Sequence, residues 1–212
     1  MLRCARTAGL LPWGKIVVAT SATRYSKLVA TTIPDEDVTV DTPWLDRPQL
    51  RAWIRLRAVL ALLPGVLDAQ LRRDAGLTEF EYHVLATLSE TPGRTLRMTE
   101  LSRRSNATLP RLSHVVTRLQ GRGLVERCSC PENRRTTNVL LTDDGWEKVR
   151  QAAPGHVATV HHHVIDALTD EQLDQLTAIG DALLTRLDPS GTMAATYTRY
   201  DGAPEPQAPA DG

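Results

Sequence analysis

Between Thr108 and Gly123 the chain interleaves Arg111, Ser113, His114, Thr117 and Arg118 with the apolar residues Leu112, Val115, Val116 and Leu119. The apolar set recurs at helical spacing, so the polar set stands on the other side of a single helix. A guanidinium can bond guanine bidentately or pair with phosphate, and Ser, Thr or His can reach base edges or backbone oxygens. Arg111 and Arg118 lie seven residues apart, two helical turns, and therefore share a face. The helix begins at Thr108 with Pro110 in its first turn, where a missing N–H costs nothing, and Gly123 is its natural left-handed terminator. Further along, Arg134 and Arg135 sit in a polar loop that carries Pro131 and Asn133. The candidate nucleic-acid contacts are thus Thr108, Pro110, Arg111, Ser113, His114, Thr117, Arg118, Arg134 and Arg135. For any one of these arginines the plain alternative is a solvated surface charge.

The charge arrangement supports the set. The formal net charge is zero, but Ser102 to Arg135 holds eight arginines against two glutamates, a net of +6. Asp143 to Asp181 holds eight acidic residues against Lys148 and Arg150, a net of −6. A neutral total therefore hides a basic middle and an acidic neighbour, with two solvated faces that attract one another as the plainer alternative.

The elements that must position the basic helix read as follows. Asp46 and Pro48 open a long helix whose apolar face runs from Leu50 through Leu71 to Gly76, with Pro64-Gly65 expected to bend it. A capping box over TEFE starts a second helix at Thr78, with Tyr82, Leu85 and Leu88 facing inward. A short third helix is expected with Thr99 as its cap and Leu101 as its anchor, followed by a turn at Ser105-Asn106-Ala107. After Gly123 the period changes: Leu124–Arg127 and Asn138–Leu141 read as two strands of a hairpin. Thr142 caps a helix that opens with Asp143 and Asp144, and a TDEQ capping box at Thr169 opens the last one, seamed by Leu173, Leu176, Ile179, Leu183, Leu184 and Leu187. The fold class is mainly α, a winged helix-turn-helix with a small β-hairpin wing and a helical region formed by both ends of the domain.

Aromatic residues are only 4% of the 212 residues, with the one Phe at position 80, so the core must be built from Leu, Val, Ala and Ile. Three cysteines, Cys4, Cys128 and Cys130, do not suit a secreted disulfide scaffold and fit a reducing compartment. The longest apolar stretch, Ala58 to Leu67, spans about half of the ~20 residues a membrane helix needs. Residues 1–43 are basic, hydroxyl-rich and free of acids before Asp35, which reads as a disordered extension, with a transit peptide as the alternative. Residues 189–212 are rich in Pro, Ala and Gly and read as a disordered tail.

The pattern R-L-x-x-x-x-x-R-L-x-x-R-G-L-V from Arg111 to Val125, a wing ending in Arg134-Arg135, and L-T-x-x-G from Leu141 to Gly145 together resemble the MarR (multiple antibiotic resistance regulator) family of winged-helix regulators. The resemblance covers roughly residues 44–188, with dimerisation helices at 46–75 and 143–188 and the winged helix-turn-helix at 78–142. It implies a homodimer whose first and last two helices interleave, each protomer placing its basic helix in one half of a palindromic operator of double-stranded DNA. It also implies a wing tip at the minor groove or its phosphates. The expected function is a cytoplasmic, nucleoid-associated bacterial repressor released by a small ligand, with neither cofactor nor metal called for. The wing departs from the family's usual D-x-R-D-R-R: Cys130-Pro131-Glu132-Asn133-Arg134-Arg135 stands there, and Glu132 weakens phosphate attraction.

Other signals are weaker. His161, His162 and His163 are consecutive, and helical neighbours point about 100° apart, so they do not converge on an ion. Cys128 and Cys130 would share one face of a strand near the wing, which leaves a redox-responsive regulator as an alternative. A winged-helix module that docks a protein instead of an operator is another. Trp53, Tyr82 and His83 are candidate effector contacts, with ordinary core packing as the competing reading. No phosphate loop or nucleophile elbow is present, so no enzyme is indicated.

Overall fold

The computed structural model describes residues 44–130 and 133–202, and the side chains of all of these except 129, 130 and 133–136. The chain divides into two compact units, Met1–Val59 and Leu60–Gly212. The expected extension 1–43 and the end of the tail, 203–212, lie outside the described residues.

Helix α1 spans Arg47–Ala75 and passes from one unit into the other. Asp46 opens it: its carboxylate accepts the Gln49 N–H at 2.8 Å while Gln49 Oε1 accepts the Asp46 N–H at 3.0 Å. Pro64 lies inside the helix, which continues through it to Ala75. In the first unit Trp53, Ile54, Leu56 and Val59 are exposed.

The second unit begins in α1 and continues with α2 (Glu79–Ser89), β1 (Thr95–Arg97), α3 (Met98–Arg104), α4 (Leu109–Gly121), β2 (Val125–Cys130), β3 (Asn133–Leu141), α5 (Asp143–His163), α6 (Asp170–Leu187) and α7 (Ala194–Tyr197). The capping boxes at Thr78 and Thr169 both form, and Thr108 and Thr142 cap α4 and α5. The cap expected at Thr99 does not form. Helix α3 starts two residues earlier, from Arg97 in an extended conformation and without a side-chain cap. The reason is β1, which the sequence reading lacks: Thr95, Leu96 and Arg97 pair antiparallel with Leu140, Val139 and Asn138, so the sheet fixes the backbone from which the helix springs. The wing is therefore a three-stranded sheet in the order β1-β3-β2, with longer strands than the expected hairpin.

The core of this unit is aliphatic. Leu71, Leu77, Leu85, Leu88, Leu101, Leu112, Leu119 and Val139 are fully buried and bring α1, α2, α3, α4 and the sheet onto one another. Each such side chain contributes ~1.5–3 kcal/mol relative to exposure. Two of the sequence motifs meet at one joint. Gly123, at φ 73°, ends α4, and the Thr142 hydroxyl donates to its carbonyl at 2.7 Å while accepting the Gly145 N–H at 3.0 Å. The Thr142 N–H donates to the Leu124 carbonyl, and a Cβ built on Gly145 would stand 2.1 Å from that same oxygen. Glycine at 145 is therefore a packing requirement that lets the first turn of α5 seat against the end of α4.

Helix α6 buries no residue within the protomer, leaving Leu176, Ile179, Leu183 and Leu187 exposed. Pro189 onward, expected as a disordered tail, is instead folded as far as Gly202. It carries α7, whose Thr196 hydroxyl donates to the Arg104 carbonyl at 3.2 Å.

Candidate nucleic-acid interface

Burial of Leu112, Val115, Val116 and Leu119 fixes the roll of α4, so the opposite edge, Pro110, His114, Thr117 and Gly121, stands outermost. Thr108 accepts the Arg111 N–H and Pro110 occupies the first turn, so the start of the helix is stiff and its polar side chains begin at once. Every candidate on α4 and its cap is exposed: Thr108, Pro110, Arg111, Ser113, His114, Thr117 and Arg118.

The structure sorts them into two flanks and an apex. On the flank toward α2, the Arg111 guanidinium lies over the Phe80 ring at 4.3 Å from its centroid. Arg118 pairs with Glu81 through Nη2 at 3.1 Å and Nε at 3.2 Å. Glu81 is 5% exposed and also closes the capping box, its Oε2 accepting the Thr78 N–H at 2.9 Å. The two arginines thus share a face as expected, and both hold intramolecular partners there. An open cleft of about 630 Å³ runs beside them, lined by Pro64, Asp68, Arg72, Phe80, His114 and Val115 among others.

On the flank toward the wing stands Arg127, which the sequence reading counts only as background charge. Its Nη2 donates to the Ser113 carbonyl at 2.9 Å, the Thr117 hydroxyl at 3.0 Å and the Ser113 hydroxyl at 3.3 Å, and its Nη1 donates to Gln120 Oε1 at 3.3 Å. One side chain from β2 thereby clamps the wing along two turns of α4. Its one available signal is position: the third residue of a strand that directly follows the basic helix. The apex between the flanks, Pro110 and His114 with the outer side of Thr117, is free to meet a groove. The side chains of Arg134 and Arg135 lie outside the described residues, although their backbone belongs to β3.

The effector candidates separate. Trp53 belongs to the first unit, where Arg57 lies 5.9 Å from its ring centroid. Tyr82 faces α5, its ring 4.7 Å from that of His156, and burial pushes its hydroxyl pKa up. His83 is half-buried, and its carbonyl accepts the Thr87 hydroxyl at 2.8 Å. None of the three lines the cleft beside Arg111. Burial pushes the His156 imidazole pKa down, against the opposite pull of Glu79. The thiol of Cys128 is free and exposed on β2. Among the described residues, His, Cys, Asp and Glu form no cluster of three or more that could hold a metal, and no helix is long and apolar enough to cross a membrane.

This arrangement has relatives. The family model described as MarR matches residues 77–137. The chain is 42% identical to Sco3205, a MarR family transcriptional regulator of Streptomyces coelicolor solved in complex with DNA, over 71% of this chain and 94% of that one, with a TM-score of 0.68. It is 36% identical to AbsC, another MarR family regulator of the same organism, over 69% and 98% of the two chains, with a TM-score of 0.66. The HTH-type transcriptional repressor YetL of Bacillus subtilis is 30% identical over 112 residues, 53% of this chain. The match takes in 66% of YetL's own length, a little under two thirds. With near-complete coverage of solved family members and the same order of helix, turn, basic helix and wing, the chain belongs to the MarR family.

Proposed function

We propose that the protein is a sequence-specific DNA-binding transcriptional regulator, acting as a homodimeric repressor on the bacterial nucleoid in the cytoplasm rather than as an enzyme. The observation that carries this reading is the exposed apex of α4, Pro110, His114 and the outer side of Thr117, held between two arginine flanks on a helix whose other side is locked in the core. Sco3205, similar over nearly its whole length, is solved on DNA, and YetL is a repressor. His114, Thr117 and Ser113 read the major groove, the described cations Arg111 and Arg118 sit beside the phosphates, and Arg134 and Arg135 reach the adjacent backbone from the wing.

Dimerisation follows from amphipathicity. Helix α6 offers an apolar seam, Leu176, Ile179, Leu183 and Leu187, that is exposed among the described residues, and an amphipathic helix gains stability when such a stripe is covered. A two-fold pair then sets its two α4 helices ~34 Å apart, one turn of DNA. Release by a small ligand follows if the ligand changes that spacing, and the cleft beside Phe80 and Arg111 adjoins the helix that would have to move.

The test is binding of the full chain to duplexes selected from random sequence, followed across salt concentration. Log affinity should fall by ~0.9 per phosphate neutralised for each log unit of salt, hence by several units for two half-sites. A flat salt response, or no selected duplex, refutes DNA binding.

A further inference from the structure

The segment after α6 is anchored at both ends. At its start Asp188 caps α6, and the same carboxylate accepts the Thr192 and Met193 N–H groups, each at 2.7 Å, and the Tyr197 hydroxyl at 3.3 Å. Those bonds fold the chain back on itself immediately where the helix stops. Donation from the Met193 N–H, foremost among several such contacts, holds the Asp188 carboxyl below the usual carboxylate range.

At its far end the segment closes two helix C-termini of the DNA-binding unit. The last carbonyls of a helix have no partner within it. The Thr196 hydroxyl satisfies that of Arg104, the final residue of α3. Arg199 pairs with Glu90, the residue that ends α2. Helix α2 has no basic residue in its own last turn, so Arg199 supplies the cation that the helix dipole favours there. Between the two anchors, Thr192 lines a small cavity with Asn106, Ala107 and Thr108, the turn that leads into α4.

Among the described residues α6 has no fully buried side chain, and this tie joins its C-terminal end to the helix-turn-helix. We propose that residues 188–201 form a strap that fixes the DNA-binding unit to the end of the dimerisation helix, with Thr196 and Arg199 as positioning residues that set the separation of the two recognition helices. The spacing consequence rests on the DNA-binding reading above. The tie itself does not.

The test uses the full chain carrying Thr196→Val and Arg199→Ala together, with Thr196→Ser and Arg199→Lys as the conservative pair. Two readouts are taken on each. Amide hydrogen exchange across residues 98–108 should quicken at least tenfold in the first pair and stay near the parent in the second. Binding is then compared between a selected duplex and the same duplex with one base pair added between half-sites. The parent should prefer the original spacing strongly, and the first pair should lose about tenfold of that preference while remaining dimeric. Unchanged exchange overturns the strap whether or not DNA binds. Quickened exchange with unchanged spacing preference overturns its positioning role. Quickened exchange in the first pair, with a parent chain that selects no duplex, leaves the strap standing and defeats DNA binding instead.

Discussion

Replacing Arg118 by alanine separates two roles that a single arginine can fill. Glu81 is buried, and its Oε2 is satisfied by Thr78 while its Oε1 accepts only from Arg118. At the observed 3.1 Å the Coulomb attraction is on the order of 5 kcal/mol if the effective dielectric is ~20. Breaking a buried pair from one side costs ~3–5 kcal/mol, whereas exposed pairs contribute ~0–1 kcal/mol. The Arg118 side chain is 59% exposed, so water screens most of the interaction, and a loss of about 1–2 kcal/mol is expected. In a chain of this size that is roughly 2–8 °C in Tm at fixed protomer concentration. Glu81→Gln in the same background should recover most of the loss, because the amide can still serve the capping box and needs no counter-ion. Urea denaturation of the parent and the two variants reads stability, and operator affinity reads function. If Arg118 also reads a base, the double variant regains stability but stays ~1–3 kcal/mol weaker on the operator. A stability change below about 0.3 kcal/mol for Arg118→Ala would refute the bracing argument.

Gly145→Ala places a methyl against the Leu124 carbonyl, and should cost at least the ~1–3 kcal/mol typical of overpacking, read by thermal unfolding. Arg127→Ala should weaken operator binding by about fivefold, one net hydrogen bond's worth, through loss of the clamp between wing and α4. Its salt slope should hardly change, since Arg127 is occupied within the protein. His156 has a depressed pKa in the fold, so the unfolded chain binds its proton first. Its destabilising effect is absent above the ordinary value of ~6.5 and grows as pH falls below it. His156→Phe should flatten stability between about pH 7 and 5, and an unchanged pH profile would remove His156 from consideration.

What the sequence made legible was local. Thr78 with Glu81, Thr169 with Gln172, and the threonine caps at 108 and 142 all act across three residues, so the spacing alone discloses them. The start of α3 was misread because strand pairing with Asn138 fixes it, some 40 residues away, and because three residues are too few to show alternation. The faces of α4 were legible, but the occupations of Arg111 and Arg118 were not. Their partners Phe80 and Glu81 lie on another helix, and only packing brings the two together. The tail was misjudged by averaging: the Pro- and Ala-rich residues after 202 diluted a segment holding Thr192, Thr196, Tyr197 and Arg199, each of which makes a specific contact.

The joint among Gly123, Leu124, Thr142 and Gly145 constrains where regulation can act. It seats α5 on the end of α4 through a carbonyl approach too close for any side chain, while Arg127 pins the wing along α4. Helix α4, the wing and the first turn of α5 must therefore move as one piece, because interiors packed this closely are not continuously deformable. A signal that changes operator affinity has to work at the connections leaving that piece. Two are visible in the second unit. One is the strap that ends on Arg104 and Glu90. The other is the seat of α5, where the His156 ring lies 4.7 Å from that of Tyr82 on α2 and Gly155 faces Gln70 of α1. Leverage on affinity therefore lies at these two connections rather than within the basic helix α4 itself.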